Sequence, residues 1–312
     1  MTPMRPTGDW DGTCLAHEAF LFETDGELGD RVVPFALEGL SRDEPVLVVA
    51  GERVRTLLAT ELGQDVRRLA AFASAETWWR GGHATLQAYD RTLRALRATV
   101  PTWRLVAEPV WLAAEGREWS RFEAVANRCY ATMPYYSLCL HDRQRLPASV
   151  LEAVARTHPL TWGGDAPVEA AAYEDPRTFL RSEQPAWSAR PMKPIAMMTV
   201  TAPQEARRAL VAAVTDGWRA RVEEVVLATN ELLTNALRAA ASVEMAFWTD
   251  HDTLVVEVTD NGPGLGDETC AYVPPTDDLE GGRGMWLAWS LADDAAVASR
   301  SAGTAIRLYF RR

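Results

Sequence analysis

The sequence predicts two α/β domains in tandem, the first built on a mostly parallel sheet and the second a layer of helices on a mixed sheet. Three observations predict this. The chain has 312 residues and 47% hydrophobic content, enough for two cores at roughly 150 residues per domain. In the first half, short β-rich apolar runs alternate with amphipathic stretches, the form that repeated βα units take around a parallel sheet. The stretch SEQPAWSARPMKP at 182–194 then places three prolines among small and polar residues, which blocks regular structure and marks a linker. The expected organisation is a first domain at 1–181, a linker at 182–194 and a second domain at 195–312.

Strands are expected at 16–22, 45–50, 66–71, 104–108 and 136–140, where β-branched and aromatic residues cluster. Between them, 27–40, 52–62, 76–98 and 120–132 carry apolar residues at helical spacing, with Gly39, Gly63 and Pro101 near their ends. After the linker the order changes. It runs strand 196–200, helices 204–216 and 222–240, strands 244–249 and 253–260, a glycine loop, a helix from Met285 and a closing pair of strands.

Composition excludes several classes. A formal net charge of −11 with no Lys/Arg-rich stretch argues against direct binding of nucleic acid through its phosphates. The four cysteines, Cys14, Cys129, Cys139 and Cys270, contain no C-x-x-C pair, so neither a zinc site nor a disulfide framework is expected. No run approaches the ~18 apolar residues of a membrane span, and no basic start precedes an apolar core. A soluble, cytoplasmic protein without membrane association is therefore expected. Lys193 is the sole lysine, which rules out a P-loop of the G-x-x-x-x-G-K-[ST] type.

In the second half, Val222, Val225, Val226, Thr229, Leu233, Ala236 and Leu237 recur at three and four residues and form a core stripe on one helix. Glu231 and Asn235 stand four apart beside it, so a carboxylate and an amide oxygen project from one face, as a hard magnesium ion and an activated water require. By itself the pair also reads as a solvated face. In the run T-L-V-V-E-V-T-D-N-G-P-G-L-G, Leu254, Val256 and Val258 alternate onto one side and Asp260 follows in register. A carboxylate there suits an exocyclic amine such as that of adenine, or caps the turn at Asn261-Gly262. Gly262, Gly264 and Gly266 permit close backbone approach. Finally, Gly281-Gly282-Arg283-Gly284 runs into a helix, whose free amides make an anion site suited to nucleotide phosphates, although glycine-rich helix starts also occur as plain loops. Residues 267–280, with Pro274-Pro275, read as a lid.

Together these segments resemble the N, G1 and G2 boxes of the GHKL (histidine-kinase-like) ATPase superfamily. The matching residues are Asn230-Glu-Leu-Leu-Thr-Asn235-Ala, Asp260-Asn-Gly-Pro-Gly264 and Gly282-Arg-Gly-Met-Trp-Leu287. Their wording is most similar to the anti-sigma factor serine kinases of bacterial partner switching. The resemblance implies a GHKL (Bergerat) α/β sandwich over 195–312 that binds ATP and Mg2+. It implies Asn235 as the magnesium ligand, Asp260 on the adenine amine and Glu231 as catalytic base, with Gly262, Gly264, Gly282, Arg283 and Gly284 shaping phosphate and lid contacts. The implied partners are a sigma factor and a STAS-type anti-anti-sigma protein, and a homodimer through the second domain is compatible with it. One departure is Ala239, where many relatives carry histidine or another polar residue; Arg238 or Arg283 can substitute. A non-catalytic ATP-binding switch therefore stays open. A histidine kinase fits less well, since 182–194 holds no phosphoacceptor histidine on a helix.

The first half resembles the MEDS sensory domain of prokaryotic regulators, through His17-Glu-Ala-Phe-Leu-Phe22, Pro34-Phe35, Gly39-Leu40 and Pro45-Val-Leu-Val-Val49. The resemblance implies a RecA-like βα domain that senses rather than hydrolyses. Among its lone residues, His17 reads as a core histidine, Glu108 as a cap or ion-pair partner at the carboxyl edge of the sheet, and Cys139-Leu-His141 as alternating strand positions without further ligands nearby. Trp78, Trp79, Trp103, Trp111 and Trp119 read as core, or as the lining of a pocket for a small-molecule ligand.

Overall fold

The computed structural model describes residues 7–77, 82–183, 187–214, 218–272 and 283–312, and for 82, 83, 114–118 and 270 the backbone alone. The chain forms two compact units, Met1–Phe179 and Leu180–Arg312.

The first unit runs β1 (Ala16–Phe22), α1 (Asp25–Ser41), β2 (Val46–Ala50), α2 (Glu52–Leu62), β3 (Ala71–Ser74), α3 (Gly82–Arg97), β4 (Trp103–Ala107), α4 (Leu112–Cys129), β5 (Tyr135–Asp142), α5 (Ala148–Thr157), β6 (Leu160–Trp162) and β7 (Pro167–Glu169). Its seven-stranded sheet has the order β3-β2-β4-β5-β1-β6-β7 and is parallel except for β6–β7. Every residue of β2 and β5 is buried, as parallel strands covered on both faces must be. Thr24 and Glu27 form a capping box that starts α1. Two arginines taken into this core pair with carboxylates: Glu18 accepts from Arg31 Nε at 3.0 Å and from the Tyr136 hydroxyl at 2.6 Å, and Arg104 bonds Glu38, Glu44 and the Phe35 carbonyl.

Three local expectations change. Residues 63–68 coil into a 3-10 turn because Arg68 reaches both Asp65 and the Leu40 carbonyl, so the edge strand starts only at Ala71. Helix α4 begins eight residues before the expected start, since Leu112-Ala-Ala-Glu favours helix and Gly116 does not interrupt it. The expected helix at 76–98 is seen as α3 from Gly82, and 78–81, with Trp78 and Trp79, lie outside the described residues.

Helix α6 (Pro176–Ser182) leads into the second unit, which runs β8 (Ala196–Thr199), α7 (Pro203–Ala213), α8 (Val222–Ala239), β9 (Val243–Asp250), β10 (Thr253–Asp260), α9 (Arg283–Leu291), β11 (Asp294–Arg300) and β12 (Gly303–Arg311). Its five strands, ordered β11-β12-β10-β9-β8, pair antiparallel throughout rather than as the mixed sheet expected. Tight turns at His251-Asp252 and Ser301-Ala302 join neighbouring strands directly and leave no room for a crossover. Leu254, Val256 and Val258 pack with Val225, Ala228, Leu232 and Ala236 of α8 and with Met285, Ala288 and Trp289 of α9 in one core.

The opposite face of this sheet is also covered. Arg307 donates to Glu257 at 2.6 Å and to the Ser188 carbonyl at 2.8 Å, between the rings of Trp187 and Trp248, while Arg190 pairs with Glu257 and Glu244. Residues 187–190 are thus irregular but anchored. Among the described residues, no helix is long and apolar enough to cross a membrane.

Candidate functional site

Helix α8 starts after a 3-10 turn at Arg219–Arg221 and is held by its apolar face, so its neighbouring face is free to carry Glu231 and Asn235, both half-buried. Helix α9 packs across α8 and begins at Arg283. Its Gly284 lies so close to this pair that a Cβ there would strike the Glu231 carboxylate and come within 3.4 Å of Asn235 Nδ2. The structure therefore brings Glu231, Asn235 and Gly284 into one place, with the exposed Arg283 beside them.

Asp260 ends β10 half-buried. Its Oδ1 accepts from the Gly262 amide at 2.8 Å, the turn-capping role, and no donor among the described residues reaches Oδ2. Gly262 sits against the end of α8, since a Cβ on it would lie 3.0 Å from both the Ala239 carbonyl and Asp260 Oδ1. Gly264, at φ +80°, presses on the Arg300 carbonyl, and the next amide, of Leu265, donates to Ser299 Oγ at 2.6 Å. The loop after β10 is thereby fastened to the β11–β12 hairpin. Gly281 and Gly282, and most of the lid expected at 267–280, lie outside the described residues.

Sequence reasoning passed over two residues here. Thr304, 5% exposed, is the register partner of Asp260, and directly opposed residues of an antiparallel pair share a face. Gly303 precedes it at φ +140°, where a Cβ would run into the Asp260 carbonyl. The signal available was the pair Gly303-Thr304 opening the last alternating strand.

The first unit contains a cavity of about 50 Å³ between its sheet and helices α3 and α4, lined among others by His17, Leu105, Trp111, Phe122, Tyr135 and Cys139. Trp111 stands edge-on to Trp119, which stacks on Phe122 at 4.3 Å, whereas Trp103 is wholly buried against Tyr135. Glu108 accepts from the Gly51 amide at 2.8 Å, capping α2, and burial raises its pKa. The expectation that no ligands gather near Cys139 and His141 fails. The parallel register sets His17 beside Ser137 and Cys139, and α4 and the end of α5 bring Glu123 and His158 to the same spot. Burial lowers the pKa of His17 to about 4 and of His141 to about 3, and raises that of Glu123 to about 8.

Residues 16–159 match the family model of MEDS, the MEthanogen/methylotroph, DcmR Sensory domain, and residues 198–310 match that of the histidine kinase-like ATPase domain. No curated protein matches the chain. Similar solved structures include the RsbU and RsbW domains of Rv1364c from Mycobacterium tuberculosis, 17% identical over 37% of this chain and 32% of that one, with a TM-score of 0.27. Another is the histidine kinase domain of the blue-light activated histidine kinase from Erythrobacter litoralis EL346, 17% identical over 52% of this chain and 80% of that one, with a TM-score of 0.25. The chain thus spans about a third of the first, and at these scores neither likeness speaks to activity or partners.

Proposed function

Because this chain joins a MEDS sensory domain to a histidine kinase-like ATPase domain, we propose that its second unit binds ATP with Mg2+ and acts as an anti-sigma factor and protein serine kinase governed by the first. The observation that carries the reading is the convergence of Glu231, Asn235 and the glycine at the start of α9. Oxygen donors suit a hard ion, so the Asn235 amide oxygen would hold the magnesium. The amides at Arg283 and Gly284, at the start of α9, would face the phosphates. Asp260 has one oxygen committed to Gly262 and the other open to the adenine amine, with the Thr304 side chain on the same face.

Phosphoryl transfer asks little covalent chemistry of the protein and much positioning. Held there, magnesium would offset the charge of the triphosphate. Glu231 takes the proton of the accepting serine as its oxygen attacks the γ-phosphorus, and the partner leaves as a phosphoserine protein with ADP. The proposed acceptor is a STAS-type anti-anti-sigma protein, and its phosphorylation decides whether the sigma factor is held or released. The first unit, with its aromatic cavity, takes a small-molecule signal. Incubating the full chain with γ-labelled ATP, Mg2+ and such a partner is expected to give phosphoserine on the partner, lost in Glu231→Gln. Tight ATP binding without any phosphoserine would refute the kinase reading and leave a non-catalytic ATP switch. Ala239, exposed where relatives carry a polar side chain, favours that second reading.

A further inference from the structure

Five buried side chains of the first unit converge from four elements: His17 of β1, Glu123 of α4, Cys139 and His141 of β5, and His158 after α5, none more than 5% exposed. Their hydrogen bonds fix which atoms are left over. Asn127 Nδ2 donates to the Thr157 carbonyl at 2.6 Å and to the Glu123 carbonyl at 3.2 Å, so its Oδ1 accepts from His17 Nδ1 at 2.9 Å. The lone pair of His17 is therefore on Nε2, which accepts from the Cys139 thiol at 3.4 Å, a bond that loss of the thiol proton to a metal would replace. A carbonyl can only accept, so His158 Nδ1 donates to the Val154 carbonyl at 2.9 Å and its Nε2 also carries a lone pair. That Nε2 stands 3.8 Å from Glu123 Oε2.

Four atoms here have no hydrogen-bond partner among the described residues: both ring nitrogens of His141, His158 Nε2 and Glu123 Oε2. Buried polar atoms are nearly always satisfied, and several orphans in one place need an explanation. One His141 nitrogen, His158 Nε2 and, once its proton is lost, Glu123 Oε2 each offer a lone pair that a cation would accept. Donor atoms of His17, Cys139 and His158 lie within 4.8 Å of one another, as do those of Glu123, His141 and His158. A tetrahedral ion with bonds of about 2.0–2.3 Å needs donors roughly 3.3–3.8 Å apart, the range that the His17–Cys139 and His158–Glu123 spacings already show. Asn127 and the Val154 carbonyl hold the outer nitrogens of two histidines, as the partners of ligating imidazoles do.

The geometry points to a binding site for a divalent transition-metal ion, zinc first, formed by His17, Cys139 and His158 with Glu123 or His141 as the fourth ligand. The mixed nitrogen, sulfur and oxygen donors suit zinc better than magnesium or calcium. Binding sends the Cys139 thiol proton to solvent, together with that of Glu123 where it is protonated. His17, Glu123 and Cys139 also line the cavity, so the ion is its polar end. The inference is independent of the nucleotide reading.

The test is a Co2+ titration of the full chain after treatment with chelator, followed by Zn2+. One equivalent of Co2+ with tetrahedral visible bands and a thiolate charge-transfer band is expected, displaced by Zn2+. Cys139→Ser should remove the charge-transfer band, His158→Ala should weaken Co2+ binding at least 100-fold, and Asn127→Ala, a positioning change, should weaken it about 10–100-fold. His251→Ala, at an exposed histidine of the other unit, should change nothing. Absence of a stoichiometric site in the wild-type chain overturns the inference whatever the variants do. So does binding unaltered in folded His158→Ala, checked by circular dichroism.

Discussion

Gly303→Ala tests how rigidly the β10 terminus holds Asp260. At φ +140° a side chain is strained before any contact is counted, at a cost of about 1–3 kcal/mol. The added Cβ would also run into the Asp260 carbonyl oxygen and stand 3.1 Å from its carbonyl carbon and 3.3 Å from Asn261 Cα. These are backbone atoms of a paired strand, so the strand end must move, at a further ~1–3 kcal/mol typical of overpacking. A total near 3 kcal/mol lowers the melting temperature of a unit this size by about 10–15 °C. If Asp260 contacts the adenine amine, its displacement costs a charged hydrogen bond of about 1.5–3 kcal/mol, or roughly 10–100-fold in ATP affinity.

Gly266→Ala is the control. Among the described residues nothing lies within 4 Å of its Cβ position, and its φ is not positive, so the change should be neutral or slightly stabilising, within about 1 kcal/mol. Thermal melts and titration with a fluorescent ATP analogue measure both. A Gly303→Ala chain that melts within 2 °C of wild type, on the order of 0.5 kcal/mol, and binds nucleotide equally would refute the reasoning. Equal losses in Gly266→Ala would refute it as well.

Asn235→Ala is expected to leave the melting temperature nearly unchanged and to weaken ATP binding at least tenfold in Mg2+, about 1.4 kcal/mol, with a much smaller effect in EDTA; calorimetric titration in both conditions checks this. Glu257→Ala leaves Arg307 and Arg190 without their shared carboxylate and should cost about 3–5 kcal/mol in urea unfolding of the second unit. Arg31→Met strands the buried Glu18 carboxylate with Tyr136 alone and should cost the first unit a similar ~3–5 kcal/mol. Replacing Glu18 by Gln in the same chain should recover part of that loss, which a double-mutant cycle reads directly.

The parts legible in the sequence are those fixed over short range. Strand 16–22 was readable because five of its seven residues, Ala16, Ala19, Phe20, Leu21 and Phe22, are apolar or aromatic and turn residues follow, and β1 spans Ala16–Phe22. The alternation of Leu254, Val256 and Val258 gave the core face of β10 because a strand repeats every two residues. Helix α8 was readable from its stripe, although Ala228 and Leu232 are buried more deeply than Val222 and Leu237. Less legible were the 3-10 turn at Gly63–Arg68, set by a bond from Arg68 to the distant Leu40 carbonyl, and β6 and β7, each three residues long. The cover on the second sheet face was hidden for the same reason. Trp187 and Arg190 read as linker residues, and only the folded sheet brings Arg307 and Glu257 to them.

The two candidate sites differ in legibility because they are assembled differently. Glu231 and Asn235 share one helix turn, and Asp260, Gly262 and Gly264 share one strand end, so spacing alone suggests their proximity before any fold is known. The histidine cluster has no such local signature. Positions 17, 123, 139, 141 and 158 meet only because β1 lies between β5 and β6, which aligns His17 with Ser137 and Glu18 with Leu160, two residues after His158. Sequence shows a Cys-x-His pair on a strand; the order of parallel strands supplies the other ligands. Metal sites of this kind are therefore missed by spacing rules and found by counting lone pairs that nothing satisfies.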